Sequence, residues 1–388
     1  MLSTLFFGST ALLFLAMSLK TFVHLRWVRR LPSLQALVSG GGLKALEQEP
    51  VRCSVVIAAR DEQLRVEQTV RHLLAQVGVE LEIIVVDDRS KDGTGDILSR
   101  LAEEDSRVQV KRVDVLPDGW LGKCHACGIG ADAATGEWIL FTDADCWLRP
   151  DLLARAIGLA EREGVEHITL TPGIAARTLG AQAWHLAFLI TIANWMSGVN
   201  RDQPRAYLGL GAFNLVRAPA YRECGGYEAL RLTVLDDVKL GLLLRRAGKR
   251  TRGFIGGDDV ECHWSPSVRG MIKLMEKNYF AAVDFRLGVA LAASLAGTLL
   301  LCAAVLGLLS GTKAGLGAAL APFSFILPAA VLARRLGWPL GVAVTTPFML
   351  PVLLYAMLNS IIATVRRGGI WWRDTFYSIE VLRKGTVR

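Results

Sequence analysis

Apolar residues along this chain come in two kinds of run, and the contrast divides it. Leu2 to Leu19, Leu287 to Leu309, Ala314 to Ala333 and Leu340 to Val365 are long and nearly free of charge. Each is near or above the roughly 18 to 20 residues that cross a bilayer. Between the first and second of these the apolar runs are short and separated by polar segments. Cys53 to Ala59, Leu81 to Val86, Arg107 to Val113 and Trp138 to Thr142 read as strands. The stretches Val66 to Gln76, Gly95 to Glu104 and Ala126 to Ala134 read as helices. Strands alternating with helices predict an α/β fold built on a doubly wound, mostly parallel sheet.

This pattern gives residues 1–30 as a membrane anchor with a basic flank and 31–50 as a linker carrying Pro32, Gly40-Gly41-Gly42 and Pro50. Residues 51–286 form the globular domain, 287–365 about three membrane segments, and 366–388 a basic tail. Lys20, Arg26, Arg29 and Arg30 follow the first apolar run instead of preceding it. That order predicts an uncleaved anchor in a multi-pass protein of the cell membrane, with the amino terminus outside and the domain cytoplasmic. Three further crossings would carry the tail outside, whereas its positive charge favours the inside. Pro347 and Pro351 interrupt the last apolar run, so a re-entrant segment and an inside tail are expected.

Composition sharpens this picture. The 388 residues are 52% hydrophobic, more than a soluble domain carries, and the net charge is +8. The excess resides in two flanks, residues 20–30 and 366–388, where it would meet anionic lipid; nucleic acid is not an expected partner. Seven scattered cysteines, an odd number, argue against a disulfide framework. Cys124-His-Ala-Cys127 lacks the second pair that structural zinc wants and reads as small buried thiols.

Candidate chemistry collects where the strands end. Ala59-Arg60-Asp61-Glu62 follows the first, Asp87-Asp88-Arg89-Ser90-Lys91-Asp92-Gly93-Thr94 the second, and Asp143-Ala-Asp145 the fourth. In doubly wound sheets ligands bind beyond these carboxyl ends. Two carboxylates leaving a strand together can grip a hard divalent cation, and the cation a diphosphate; a solvated turn is the ordinary alternative. Asp87 and Asp88 repel each other unless a cation or a donor group, such as ribose or base, engages them. Ser90, Asp92 and Thr94 also suit helix capping.

Lys123, after Gly119-Trp-Leu-Gly122, sits at a helix amino terminus, where phosphate contact competes with a solvated role. Gly209-Leu-Gly211-Ala-Phe-Asn214 offers a glycine-rich approach to a ligand, but no Gly-Lys-Ser/Thr occurs, which excludes a P-loop. Asp236-Asp237 opens an amphipathic stretch, either as a cap or as part of a site. Ala183 to Val199 approaches spanning length, yet one crossing there would separate Asp143 and Asp145 from Asp236 and Asp237. An interfacial helix is expected, with Trp184 and Trp195 at headgroup depth near an arriving lipid; a buried core helix is the alternative.

Taken in order, Ala58-Ala-Arg-Asp-Glu62, Val85-Val-Asp-Asp-Arg-Ser-Lys-Asp-Gly-Thr94, Gly119-Trp-Leu-Gly-Lys123, Asp143-Ala-Asp145, Gly225-Gly-Tyr227 and Leu235-Asp-Asp-Val-Lys-Leu-Gly241 resemble the membrane-anchored family 2 glycosyltransferases. The likeness is strongest to the lipid-directed branch, which includes hopanoid-associated, carotenoid and ceramide glucosyltransferase-like enzymes. Trp371-Trp-Arg-Asp-Thr-Phe-Tyr377 is similar to a Trp-Arg-Gly-x-x-Tyr element that follows the last membrane segment in some of them.

The resemblance implies a GT-A-like fold and inverting transfer of one sugar from a nucleotide sugar, a UDP-sugar by expectation, to a lipid or terpenoid hydroxyl. Asp88 would hold base or ribose, with Ala59, Arg60, Glu62 and Asp87 beside it. Lys123 would face the diphosphate; Lys277, where the processive box would fall, either does the same or stands as a cation at the membrane interface. Asp143 and Asp145 would hold Mg2+ or Mn2+. Asp237 matches the catalytic base, with Asp236 where a Glu usually stands. The Gln-x-x-Arg-Trp box of processive synthases is absent, which argues for single transfer. Two rivals remain: a polyprenyl-phosphate sugar synthase, differing only in acceptor, and a transporter carrying a nucleotide-binding domain. The second should show intramembrane charges or repeats, and beyond residue 286 only Arg334 and Arg335, in an expected loop, qualify.

Overall fold

The computed structural model describes residues 2–39 and 50–388. The chain opens with the apolar helix α1 (Leu2–His24), then β1 (Arg29–Arg30) and a short α2 (Leu34–Ser39). The expected linker is thus partly structured. β1 pairs in parallel with a later strand, and Leu31 and Leu37 are buried in the domain core. The glycines at 40–42 lie outside the described residues.

The alternation read from the sequence follows: β2 (Arg52–Ala59), α3 (Val66–Leu74), β3 (Glu80–Asp88), α4 (Thr94–Glu104), β4 (Val108–Val113), α5 (Gly122–Ala133) and β5 (Trp138–Asp143). After it come β6 (Cys146–Leu148), α6 (Leu152–Glu163), β7 (His167–Ile174), α7 (Leu179–Val199), β8 (Asn214–Arg217), α8 (Ala218–Glu223), α9 (Asp236–Arg246) and β9 (Thr251–Cys262). Among the described residues these strands form one sheet in the order β1-β9-β7-β8-β5-β2-β3-β4, with β6 on β9. Pairing is parallel except at β8 and β6. Strand order reverses between β2 and β5, the crevice where such sheets bind ligands.

Both sheet faces are covered, which explains the unbroken β-branched strands. Successive side chains alternate: Val55, Ile57, Ile83 and Val85 enter one core layer, and Val56, Ile84 and Val86 the other. All seven are fully buried. Each contributes about 1.5–3 kcal/mol relative to exposure. The first layer is capped by α3, α4 and α6, and the second by α5 and α9.

Beyond β9 lie α10 (Val268–Met275), α11 (Asn278–Ala281), α12 (Leu287–Leu309), α13 (Lys313–Leu320), α14 (Ile326–Arg335) and α15 (Thr346–Arg367). Four helical stretches among the described residues, Leu2–Trp27, Leu287–Leu309, Lys313–Arg335 and Leu340–Arg367, are long and apolar enough to cross a membrane. A hairpin, β10 (Gly369–Trp372) with β11 (Thr375–Ser378), and α16 (Ile379–Gly385) end the chain. Ile370, Tyr377 and Leu382 complete the second core layer.

One expectation about the membrane part changes. α7 is mostly buried, packed among Phe14, Ile255 and Leu332, and Trp184 sits inside a cluster with Met271, Met275 and Ala356. Trp184 is therefore enclosed by protein instead of facing lipid, while Trp195 is half exposed. Helices arriving from far along the chain cover the face that local sequence leaves open. The last apolar stretch begins beside α7, where Trp338 lies 5.6 Å from His185. It ends with Arg367 bonded to Glu276 at 2.6 Å.

Candidate active site

Parallel register brings the acidic strand ends to one edge: Ala58 of β2 is opposite Asp143 of β5, and Ala59 is opposite Asp87 of β3. Ala59 is fully buried, so it can offer a ligand only its backbone. Asp87 Oδ1 accepts the Ser90 backbone N–H at 3.2 Å. Asp88 is held by both ends of the Arg89 guanidinium, at 2.7 and 3.1 Å, with Arg60 3.8 Å away. The expected repulsion between the two acids is met in this way. Gly122 packs so closely on Asp88 that a methyl there would collide with the carboxylate. Thr94 Oγ1 accepts from the Glu62 N–H at 2.8 Å, and Asp92 Oδ1 from the Thr94 N–H at 3.0 Å. Asp92 thus takes the first backbone N–H of α4, while Thr94 and Asp92 together fasten the loop after β2. The Arg60 Nε–H is buried without an acceptor among the described residues.

At the next crevice Lys123 Nζ donates to Asp143 Oδ1 at 2.6 Å and lies 3.9 Å from Asp236. Burial works against its ammonium, but Asp143 first, then Asp236 and Asp237, outweigh it and hold the pKa well above the lysine range. Lys277 lies in the same field. Its pKa falls to about 8 through burial and the Lys123 charge.

Asp237 is carried by the first turn of α9. Its Oδ2 accepts the Gly211 N–H at 2.7 Å and its Oδ1 the Val238 N–H at 2.8 Å. A methyl on Gly211 would meet Asp143 Oδ2 at 2.7 Å and Asp237 Oδ2 at 3.3 Å, so the two carboxylates face each other across this glycine. Burial, then the neighbouring Asp236 charge, raises Asp237 to about 6. Asp236 itself turns inward, 2% exposed, and accepts from the Tyr227 hydroxyl at 3.0 Å. It cannot meet an acceptor from that position, which limits it to shaping the field at Asp237.

Asp145 is raised to about 6 by burial and by the charges of Asp143 and Glu62. Three carboxylates thus crowd one corner, and Lys123 bonds only one oxygen of Asp143. A hard divalent cation fits Asp143 and Asp145, because it relieves this repulsion with the oxygen donors it prefers. Asp145 also stands beside the opposed thiols Cys146 and Cys262.

Sequence reasoning missed three contributions. Gly211 was expected to approach a ligand, whereas its amide cradles Asp237. Tyr227 appeared only within Gly-Gly-Tyr, with no signal that its hydroxyl reaches Asp236. The tip of the β10–β11 hairpin also enters the site: Asp374 bonds Arg60 at 3.2 Å and Lys91 at 2.6 Å, and Arg373 bonds Glu62 at 2.8 Å. Pairings spanning some 300 residues leave no local trace in a sequence.

Residues 54–225 match the family model described as glycosyl transferase family 2. A β-monoglucosyldiacylglycerol synthase of Trichormus variabilis is 27% identical over 222 residues, 56% of this chain and 44% of that protein. A 4,4'-diaponeurosporenoate glycosyltransferase of Staphylococcus haemolyticus is 33% identical over 104 residues, 27% of each chain. The match thus spans less than half the length of either relative. Among solved structures, the mannosyltransferase PcManGT of Pyrobaculum calidifontis, in complex with GDP-Man and Mn2+, aligns with a TM-score of 0.51 at 16% identity. That alignment covers 93% of this chain and 98% of the other, and the shared fold is GT-A-like.

Proposed function

We propose that this protein is an inverting glycosyltransferase that moves one sugar from a nucleotide sugar to the hydroxyl of a membrane lipid or terpenoid. The observation that carries the reading is Asp237 facing Asp143 across Gly211, with Lys123 on the Asp143 side. One carboxylate is free of any cationic contact within 4.0 Å among the described residues, and the other is embedded with a cation. Such asymmetry suits a reaction in which a proton leaves on one side while negative charge grows on the other.

The acceptor hydroxyl oxygen attacks the anomeric carbon as the bond to the diphosphate oxygen breaks, and configuration inverts. Asp237, raised near 6 yet ionised at neutral pH, takes the hydroxyl proton. The Gly211 and Val238 amides keep its carboxylate oriented. Lys123 and Lys277 offset charge on the departing nucleoside diphosphate. A Mg2+ or Mn2+ ion on Asp143 and Asp145 would add Lewis-acid stabilisation there. Asp88 and Arg60, whose buried Nε–H lacks an acceptor, receive the nucleoside.

The relatives named for glucosyldiacylglycerol and diaponeurosporenoate synthesis support a lipid acceptor, and so do the apolar helices packed beside the domain. A domain of this family favours an enzyme over a transporter. We further place the domain, residues 51–286, on the cytoplasmic membrane face. The test uses detergent-purified protein with Mn2+, a panel of nucleotide sugars and extracted membrane lipid, read by mass spectrometry. Labelled lipid is expected with wild type and with neither D237N nor D143A. Donor binding should persist in D237N and vanish in D143A. Full transfer by either variant would overturn the site.

A further inference from the structure

The hairpin β10–β11 follows the last membrane-capable helix with only Gly368 between, and it is placed against the donor side of the site. Its tip, Arg373 and Asp374, makes the ion pairs to Glu62, Arg60 and Lys91 described above. On its inner face the Trp372 ring carries the Lys277 ammonium 3.6 Å from its centroid. On its other side β11 walls a cavity of about 480 Å³, bordered by Arg89, the partner of Asp88, and by Trp120.

Two independent observations point to a ligand at this wall. Lys277 Nζ has no hydrogen-bond acceptor and no carboxylate within 4.0 Å among the described residues, although the charges of Asp143, Asp236 and Asp237 act on it. A half-buried ammonium seated only on an aromatic face lacks an anion. Arg373 holds a left-handed backbone (φ 52°), as do Asp61 (φ 53°) and Arg89 (φ 59°). Non-glycine residues keep such conformations where surrounding contacts over-determine them, and ligand clamps are where they gather. All three stand around the same crevice.

We infer that the C-terminal hairpin is a wall of the donor site, in which Trp372 is a positioning residue that holds Lys277 toward the diphosphate of the bound nucleotide. The inference rests on the donor-site reading above. The hairpin thereby ties nucleotide binding to the membrane-embedded end of the chain. Its chemistry is that of a diphosphate receptor: one ammonium held by a cation–π contact, with Arg60 and Lys91 at the rim.

The experiment measures UDP binding, with GDP in parallel, by calorimetry on the full-length protein in detergent with Mn2+, together with steady-state transfer. Trp372→Leu should weaken nucleotide binding and raise the donor KM by about tenfold, with the acceptor KM within about threefold of wild type. Trp372→Phe, which keeps an aromatic face, should stay within about threefold. In a Lys277→Gln background, W372L should cause no further loss, because the ring acts through the ammonium. Equal loss in both backgrounds would overturn the inference, as would a lowered thermal midpoint without a donor effect. Should W372L fail to fold, a tenfold loss in W372F would have the same force. If wild type binds neither nucleotide, the donor-site reading itself falls and the inference falls with it.

Discussion

Replacing Asp237 by Asn removes the proton acceptor while keeping the shape of the side chain. In the folded protein Asp237 is raised to about 6 by burial and by Asp236. The ordinary aspartate value is about 3.9, so the site lifts this carboxylate roughly two units toward neutral pH, where a general base works best. A positioned base contributes about 10²- to 10⁴-fold, which at 1.36 kcal/mol per decade is roughly 2.7–5.4 kcal/mol of barrier. In D237N, kcat should fall by that factor. One of the Gly211 and Val238 amides loses its acceptor, costing about 1–3 kcal/mol of stability, so the fold survives with a lower thermal midpoint. The active form is the carboxylate, so wild-type kcat should decline as pH drops through about 6 and fall about tenfold per unit below it. The assay is initial-rate transfer at saturating donor and Mn2+ across pH 4.5–8.5. A D237N rate within about threefold of wild type at pH 7.5 would refute Asp237 as base.

Other consequences follow from the same geometry. Asp145 is raised to about 6, and a cation must displace its proton at lower pH; the rise in thermal midpoint on adding Mn2+ should be present at pH 7.5 and largely lost at pH 5. Gly211→Ala places a methyl against Asp143, so activity should drop at least about tenfold while circular dichroism shows the fold intact. Tyr227→Phe deprives buried Asp236 of its donor and should cost about 1.5–3 kcal/mol in urea unfolding followed by fluorescence; an unchanged midpoint would count against the contact. The tail packs on the domain, so T386C and E103C should label from the same membrane side; opposite labelling would contradict the re-entrant path.

Much of the fold was legible because its causes are local. A strand buried on both faces must be apolar throughout, so β2, β3 and β5 announce themselves, and their polar ends share one edge of the sheet. Asp88, Lys123 and Asp143 could be singled out because each sits at a strand end or a helix start. β8 was not legible: Asn214–Arg217 is too short for a periodic signal, and only its neighbours β5 and β7 make it a strand. Trp184 could not be placed from its helix, because the residues that bury it come from segments some 90 to 170 positions away.

The sequence by itself determined the alternation of strands and helices, the membrane-length segments and the acidic ends of the strands, since each depends on neighbours within a few residues. Tertiary structure alone decided which carboxylate turns inward to Tyr227 and which faces Asp143. It alone brought Trp372, Arg373 and Asp374 against Lys277, Glu62, Arg60 and Lys91. Those choices depend on burial and charge shared between distant parts of the chain, and such fields exist only once the chain has folded.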